Sequence, residues 1–152
     1  MVRFIGEHTS KVDDKGRVIF PAAFKSKMLA EGEDLRLVIR KENFASCLEA
    51  FTYSEWERQS DNVLSKLNPT FNEKHAIFWR AYMRNRAVVE PDLKFGRISI
   101  PKKLLDMIGV KKEVVFYGND YKVEIWAKEV YEAQELSNEE ISTLAGQLSE
   151  TI

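Results

Sequence analysis

The stretch VDDKGRVIFP, residues 12–21, decides how this chain is read, because a near copy, DLKFGRISIP, stands at residues 92–101. Displacement by 80 residues lays Gly16, Arg17 and Pro21 on Gly96, Arg97 and Pro101, and Val18 and Phe20 on Ile98 and Ile100. With a slightly smaller offset, LRLVI (35–39) meets EVVFY (113–117), and LEAFTYSEW (48–56) meets VEIWAKEVY (123–131). Each half is the same unit: strand, turn, strand, short helix, two more strands, then the start of a helix. Two such units interlock and share a core, since one alone buries too little apolar surface.

The local chemistry is consistent with this. In DDKG, Asp13 at the first turn position and Gly16 at the fourth are preferred in a type I turn, and the sequence predicts a hairpin between residues 8–12 and 17–20. Period-two alternation turns Val18 and Phe20 inward and Arg17 and Ile19 outward; in the copy, Ile98 and Ile100 face in, Arg97 and Ser99 out. Pro21 and Pro101 mark helix starts, where a missing amide costs nothing. Phe24 and Met28, then Leu104, Leu105 and Ile108, follow at helical spacing, with Gly32 and Gly109 as stops. Between the copies, residues 68–86 predict a helix capped by Asn68 or Thr70, with Phe71, Phe78, Trp79 and Tyr82 read as packing residues rather than a base-stacking platform. After Trp126 the sequence predicts a charged helix and a loosely held tail.

The 152 residues make one ordinary domain or two small ones sharing a core, with 44% apolar and 31% charged residues. Net charge is −1, without the basic excess that announces a nucleic-acid binder. The distribution is uneven: six basic against three acidic residues give +3 over residues 1–29, and one against six gives −5 over residues 128–152. Cys47, the single cysteine, reads as a small buried residue, with neither His8 nor His75 near it in sequence. No apolar run reaches membrane-span length and the N-terminus lacks a signal-peptide core, so a reducing cytoplasm is expected. The chain contains no Walker loop, dinucleotide glycine pattern, His/Cys metal cluster or nucleophile motif; no enzyme, cofactor or metal is expected.

DDKGRVIFP with FGRISIP, together with LEAFTYSEW, the linker NP and VEIWAKEVY, resembles the MraZ family of bacterial transcriptional regulators over about residues 4–135. The resemblance implies a mainly β fold with short helices (α+β): two swapped-hairpin AbrB-like repeats forming an intrachain pseudo-dimer, assembled into a ring. The expected organisation is repeat 1 at 5–58, a helical linker at 59–82, repeat 2 at 83–131 and an acidic tail at 132–152. It also implies a nucleoid-associated regulator, expected to be a repressor, that binds short G-rich direct repeats in double-stranded DNA upstream of a cell-division and cell-wall gene cluster. The family motif, an Asp, three residues and an Arg, falls on Asp13 and Arg17. Arg17 and Arg97 are the expected DNA contacts, Lys15 and Lys94 phosphate contacts, and Asp13, Gly16 and Gly96 turn or orienting residues. At the 80-residue offset Leu93 replaces Asp13 and Phe95 replaces Lys15, with Asp92 one residue early, so repeat 1 is the stronger carrier. Arg80, Arg84 and Arg86 are solvated or paired cations of the linker helix. The alternative is an interaction protein of the antitoxin kind on the same fold, gripping a toxin through residues 132–152.

Overall fold

The computed structural model describes residues 1–149; the last three residues of the tail expected at 132–152 lie outside the described residues. The chain runs β1 (Phe4–Lys11), β2 (Arg17–Ile19), α1 (Ala22–Ala30), β3 (Leu37–Lys41), β4 (Cys47–Thr52) and α2 (Tyr53–Leu64). After α3 (Glu73–Met83) the pattern returns as β5 (Ala87–Val89), β6 (Arg97–Ser99), α4 (Lys102–Met107), β7 (Glu113–Asp120), β8 (Lys122–Ala127) and α5 (Lys128–Glu132). A last helix, α6, spans Asn138–Ser149. The fold is α+β, with antiparallel sheets and short helices.

The strands form a six-stranded sheet of order β1-β7-β8-β4-β3-β5 and a two-stranded ribbon of β2 and β6. Exchanging β1 with β5, β3 with β7 and β4 with β8 reproduces the same order backwards, so the halves are related by a pseudo-two-fold axis. That axis passes through two register pairs, Val18 opposite Ile98 in the ribbon and Glu49 opposite Glu124 in the sheet. The predicted hairpin of residues 8–12 with 17–20 does not form: β1 pairs with β7 over all eight residues, and β2 pairs with β6. A three-residue strand makes too few ladder bonds for an independent hairpin. Pairing across the axis instead lets Val18 and Ile98 close over a common core, where they are 1% and 0% exposed.

That core lies between the ribbon with α1 and α4 on one side and the six-stranded sheet on the other. Phe20 meets Phe116 edge-on at 5.6 Å, and Phe24 meets Phe4 at 5.4 Å. Each such side chain contributes roughly 1.5–3 kcal/mol by leaving water. Phe24, Met28, Leu104, Leu105 and Ile108 are all buried, as their spacing predicts, while Pro21 and Pro101 are N-caps, one residue before the first helical position. Beyond the helices, Gly32 and Gly109 adopt φ +77° and +69°.

The other face of the sheet is charged at its centre. Alternation sends Leu48 and Ala50 into the core and Glu49 away from it. Glu49 and Glu124, 3% and 8% exposed, are bridged by Lys122, whose Nζ lies 2.7 Å and 3.4 Å from their carboxylates. Arg40 adds a second cation 2.6 Å from Glu49, and Trp126 Nε1 donates to Glu124 at 3.1 Å. Cys47 is fully buried in β4, and burial pushes its thiol up to about 12.

One helical expectation changes. The cap of α3 is Asn72, whose side chain accepts from the His75 amide at 3.2 Å, not Asn68 or Thr70. The aromatics of this segment pack on one another outside the core: α3 has no buried residue, Phe71 and Phe78 are exposed, and Trp79 and Tyr82 stack on each other at 5.2 Å. The helix bridges the repeats outside the sheet, so its apolar side chains find one another. α6 is opened by a reciprocal capping box, Glu140 N to Ser137 Oγ at 3.1 Å and Ser137 N to Glu140 Oε1 at 3.3 Å, and buries none of its residues.

Candidate nucleic-acid interface

The ribbon brings the two quoted stretches together. With Val18 and Ile98 turned inward, Arg17, Ile19, Arg97 and Ser99 make its outer face. Arg17 lies opposite Ser99, and Arg97 opposite Ile19. The two arginines are therefore diagonal neighbours, about 7–8 Å apart at the backbone. Ile19, 55% exposed, leaves the middle of this face open.

Each arginine is clasped by an aspartate in its own turn. Asp13 accepts from Arg17 Nε at 2.7 Å and from the amides of Arg17 and Lys15 at 2.8 and 3.0 Å. In the copy, Asp92 accepts from Arg97 Nε at 3.1 Å and from the amides of Phe95 and Arg97 at 2.6 and 3.2 Å. The turns close alike, Gly16 N to Asp13 O at 3.1 Å and Gly96 N to Asp92 O at 3.0 Å. Asp92, not Leu93, thus stands in the position of Asp13. The second turn carries one more residue, and the insertion is absorbed at the tip, where Leu93 is fully exposed. A displacement at constant offset cannot register such an insertion.

These hydrogen bonds hold both carboxyls below the usual carboxylate range. For Asp92 the value falls to about 2, through the Phe95 amide first; for Asp13 the Arg17 amide is the largest cause. Both therefore stay ionised and engage Nε, and among the described residues neither Arg17 nor Arg97 makes a further hydrogen bond through its two terminal nitrogens. Each guanidinium presents a held, outward fork of the kind that pairs bidentately.

The crossing glycines lock the turns onto the opposite repeat. Ile100 N donates to Gly16 O and Phe20 N to Gly96 O, both at 2.9 Å. Gly16, at φ +79°, has no room for a side chain, since a Cβ would lie 2.6 Å from the Ile100 carbonyl oxygen. Gly96, at φ +70°, is freer; the nearest atom to a Cβ there is Lys25 Nζ at 3.6 Å.

Lys15 and Lys94 are exposed at the turn tips, and Phe95 packs under the cations of Lys94 and Arg97, 5.1 and 4.6 Å from its ring centre. Lys25 and Lys102 were not singled out by sequence reasoning. Lys25 lies against the turn of the other repeat, at Gly96, and Lys102 lines the groove beside residues 13–16. A basic residue in the first turns after Pro21 and Pro101 is the signal that could have flagged them. Arg80 is exposed on α3, but Arg86 lies beyond that helix and is half-buried, so it is not a solvated cation of the linker.

The family model "MraZ protein, putative antitoxin-like" matches residues 83–147. The chain is 39% identical over 140 residues to transcriptional regulator MraZ of Bacteroides thetaiotaomicron, covering 92% of this chain and 88% of that protein. It is 37% identical over 150 residues to the protein of the same name from Christiangramia forsetii, at 95% and 92% coverage. For that of Stenotrophomonas maltophilia the identity is 35% over 142 residues, at 91% and 93%. Similarity of this depth across both repeats, on a fold whose halves carry the same Asp–Arg clasp, means that the chain belongs to the MraZ family.

Proposed function

We propose that the protein is a sequence-specific DNA-binding transcriptional regulator that reads duplex DNA with the outer face of the β2/β6 ribbon. The observation that carries this reading is the pair of outward arginines, each held through Nε by an ionised aspartate with its terminal nitrogens free. A two-stranded ribbon fits the major groove, and a guanidinium fork matches O6 and N7 of guanine. Asp13 and Asp92 orient; Arg17 and Arg97 read; Lys15 and Lys94 hold phosphates, with Lys25 and Lys102 as further phosphate contacts. G-rich repeats suit such a pair of forks. The equal clasps favour contact by both repeats.

The chain acts as two swapped-hairpin repeats, 5–58 and 83–131, joined by the segment 59–82 and followed by the acidic tail from 132. Copies assemble into a ring, so that successive ribbons engage successive direct repeats and weak single contacts add by avidity. Occupancy of its own upstream region blocks polymerase and represses the cell-division and cell-wall cluster. It works without enzymatic chemistry, in the cytoplasm at the nucleoid; no helix among the described residues is long and apolar enough to cross a membrane.

The test is fluorescence anisotropy with duplex from its own upstream region against a scrambled duplex, across a salt series. Native duplex is expected to bind more tightly, with a log–log salt slope of about −0.9 per phosphate neutralised. Arg17→Ala and Arg97→Ala are each expected to weaken specific binding by roughly 1–3 kcal/mol per contacted guanine without changing oligomer size. Equal, weak binding of both duplexes, indifferent to either arginine, would sink the proposal and move the search to protein partners.

A further inference from the structure

At the β3/β5 end of the six-stranded sheet lies a cavity of about 770 Å³. Five cations line it, Arg40, Lys41, Arg58, Arg84 and Arg86, and no carboxylate does. Three of them already have partners: Arg58 is held by Glu55 at 2.6 Å, Lys41 by the carbonyls of Glu42 and Ala45, and Arg40 by Glu49 behind the wall. Arg84 and Arg86 form no ion pair among the described residues.

Arg86 is the unusual member. Its Nε and Nη2 are buried without a hydrogen-bond acceptor, and its guanidinium is stacked 4.1 Å above the Tyr82 ring. Arg40 Nε, although close to Glu49, also lacks hydrogen-bond alignment. Burial, and then the Arg40 cation, pull Arg86 below the ordinary arginine range. Buried charged donors without acceptors are costly, and folded proteins seldom leave several of them around one cavity unless an acceptor comes from outside. A phosphate supplies three or more acceptor oxygens in the geometry of guanidinium forks. The volume is that of a small-molecule site, and Phe78, Tyr82 and Met107 give it an apolar wall. The equivalent region of the other half is opposite in sign: there Glu7, Glu124, Glu132 and Glu135 line a cavity of about 510 Å³. The cationic lining is therefore a property of this one site and not of the repeat.

We propose that this cavity binds a small phosphate-bearing molecule, with its phosphate between Arg84 and Arg86 and Arg40 at the base. The inference stands apart from DNA reading, because its test contains no DNA.

Isothermal titration calorimetry of the full chain, at constant ionic strength, with inorganic pyrophosphate and with ATP is the experiment. Saturable binding of at least one of them is expected, weakened at least about tenfold by Arg86→Gln, the loss expected of one charge-assisted hydrogen bond. Arg84→Gln, at an exposed position that leaves the fold intact, is expected to weaken it similarly, and Arg17→Ala to leave it unchanged. No saturable heat with either probe, equal binding by the Arg84 and Arg86 variants, or the same loss in Arg17→Ala would overturn the proposal. It would equally be overturned if neither probe bound while Arg86→Gln altered oligomer size; the acceptor would then be a carboxylate of a second copy.

Discussion

The turns at residues 13–17 and 92–97 hold an arginine in the same way with loops of different length. Both close an amide onto the aspartate carbonyl, both direct the carboxylate to two amides and Nε, and both end in a glycine at positive φ. They differ at the tip, polar Asp14 and Lys15 in one and apolar Leu93 and Phe95 in the other, and in how tightly the glycine is enclosed. The clasp is thus the preserved unit, while loop length and tip chemistry vary around it. The outer faces of the halves differ more: one cavity is cationic, the other acidic.

The sharpest break in the symmetry is Lys122, whose equivalent across the axis is Cys47. One lysine neutralises both Glu49 and Glu124. Lys122→Met leaves Glu124 without a cation and Glu49 with Arg40 alone, and is expected to cost about 3–5 kcal/mol in urea unfolding. Adding Glu49→Gln and Glu124→Gln should restore most of that loss, and a triple variant no more stable than the single would show that Lys122 acts through packing. Next in size is the pair of glycines. Gly96→Ala meets only the left-handed backbone penalty, about 1–2 kcal/mol. Gly16→Ala adds a clash with a backbone carbonyl and should lose more than about 2 kcal/mol, so equal midpoints for the two would refute the difference in enclosure.

A smaller effect separates by pH. Because the folded Asp92 carboxyl titrates at about 2, below its ordinary value, its contribution is complete above about pH 4 and is lost as pH falls toward 2. The melting temperature of Asp92→Asn should therefore lie below that of the unmutated protein at pH 5–7, and the gap should close between pH 4 and 2. Asp13→Asn should behave in the same direction, since its carboxyl is also held low. A gap independent of pH would mean that the loss does not come from ionisation of the carboxylate. Smallest of all is Leu93→Ser: at a fully exposed tip it should change stability by no more than about 0.5 kcal/mol, measured by the same unfolding.

Much of this was legible in the residues. Alternation at 17–20 and 97–100 correctly set Val18, Phe20, Ile98 and Ile100 inward, and the Pro- and Gly-bounded segments gave α1 and α4, because both signals depend on neighbours within one turn or one pleat. Other features were not legible. The partner of β2 was misread as β1, since alternation says which face a strand buries but not which strand lies beside it. Asp92 reads as one residue early, and its equivalence to Asp13 is hidden, because a turn tolerates an extra residue at its solvent-facing tip while a fixed offset does not. The aromatics of α3 read as packing residues, and Phe78, Trp79 and Tyr82 do pack on one another, but a helix outside the sheet has no core to reach, so composition alone could not place that contact.

The sequence by itself determined the repeated segments, by their likeness at a long offset, and the inward and outward residues of β2 and β6 with the outward placement of Arg17 and Arg97, by short-range periodicity. Only the tertiary structure decided that β2 and β6 lie side by side, that Asp92 clasps Arg97, that Lys122 serves two glutamates, and that Arg86 is buried without an acceptor. Each of these joins positions whose proximity depends on folding across the pseudo-two-fold axis or on the length of a loop, and neither leaves a periodic trace in the chain.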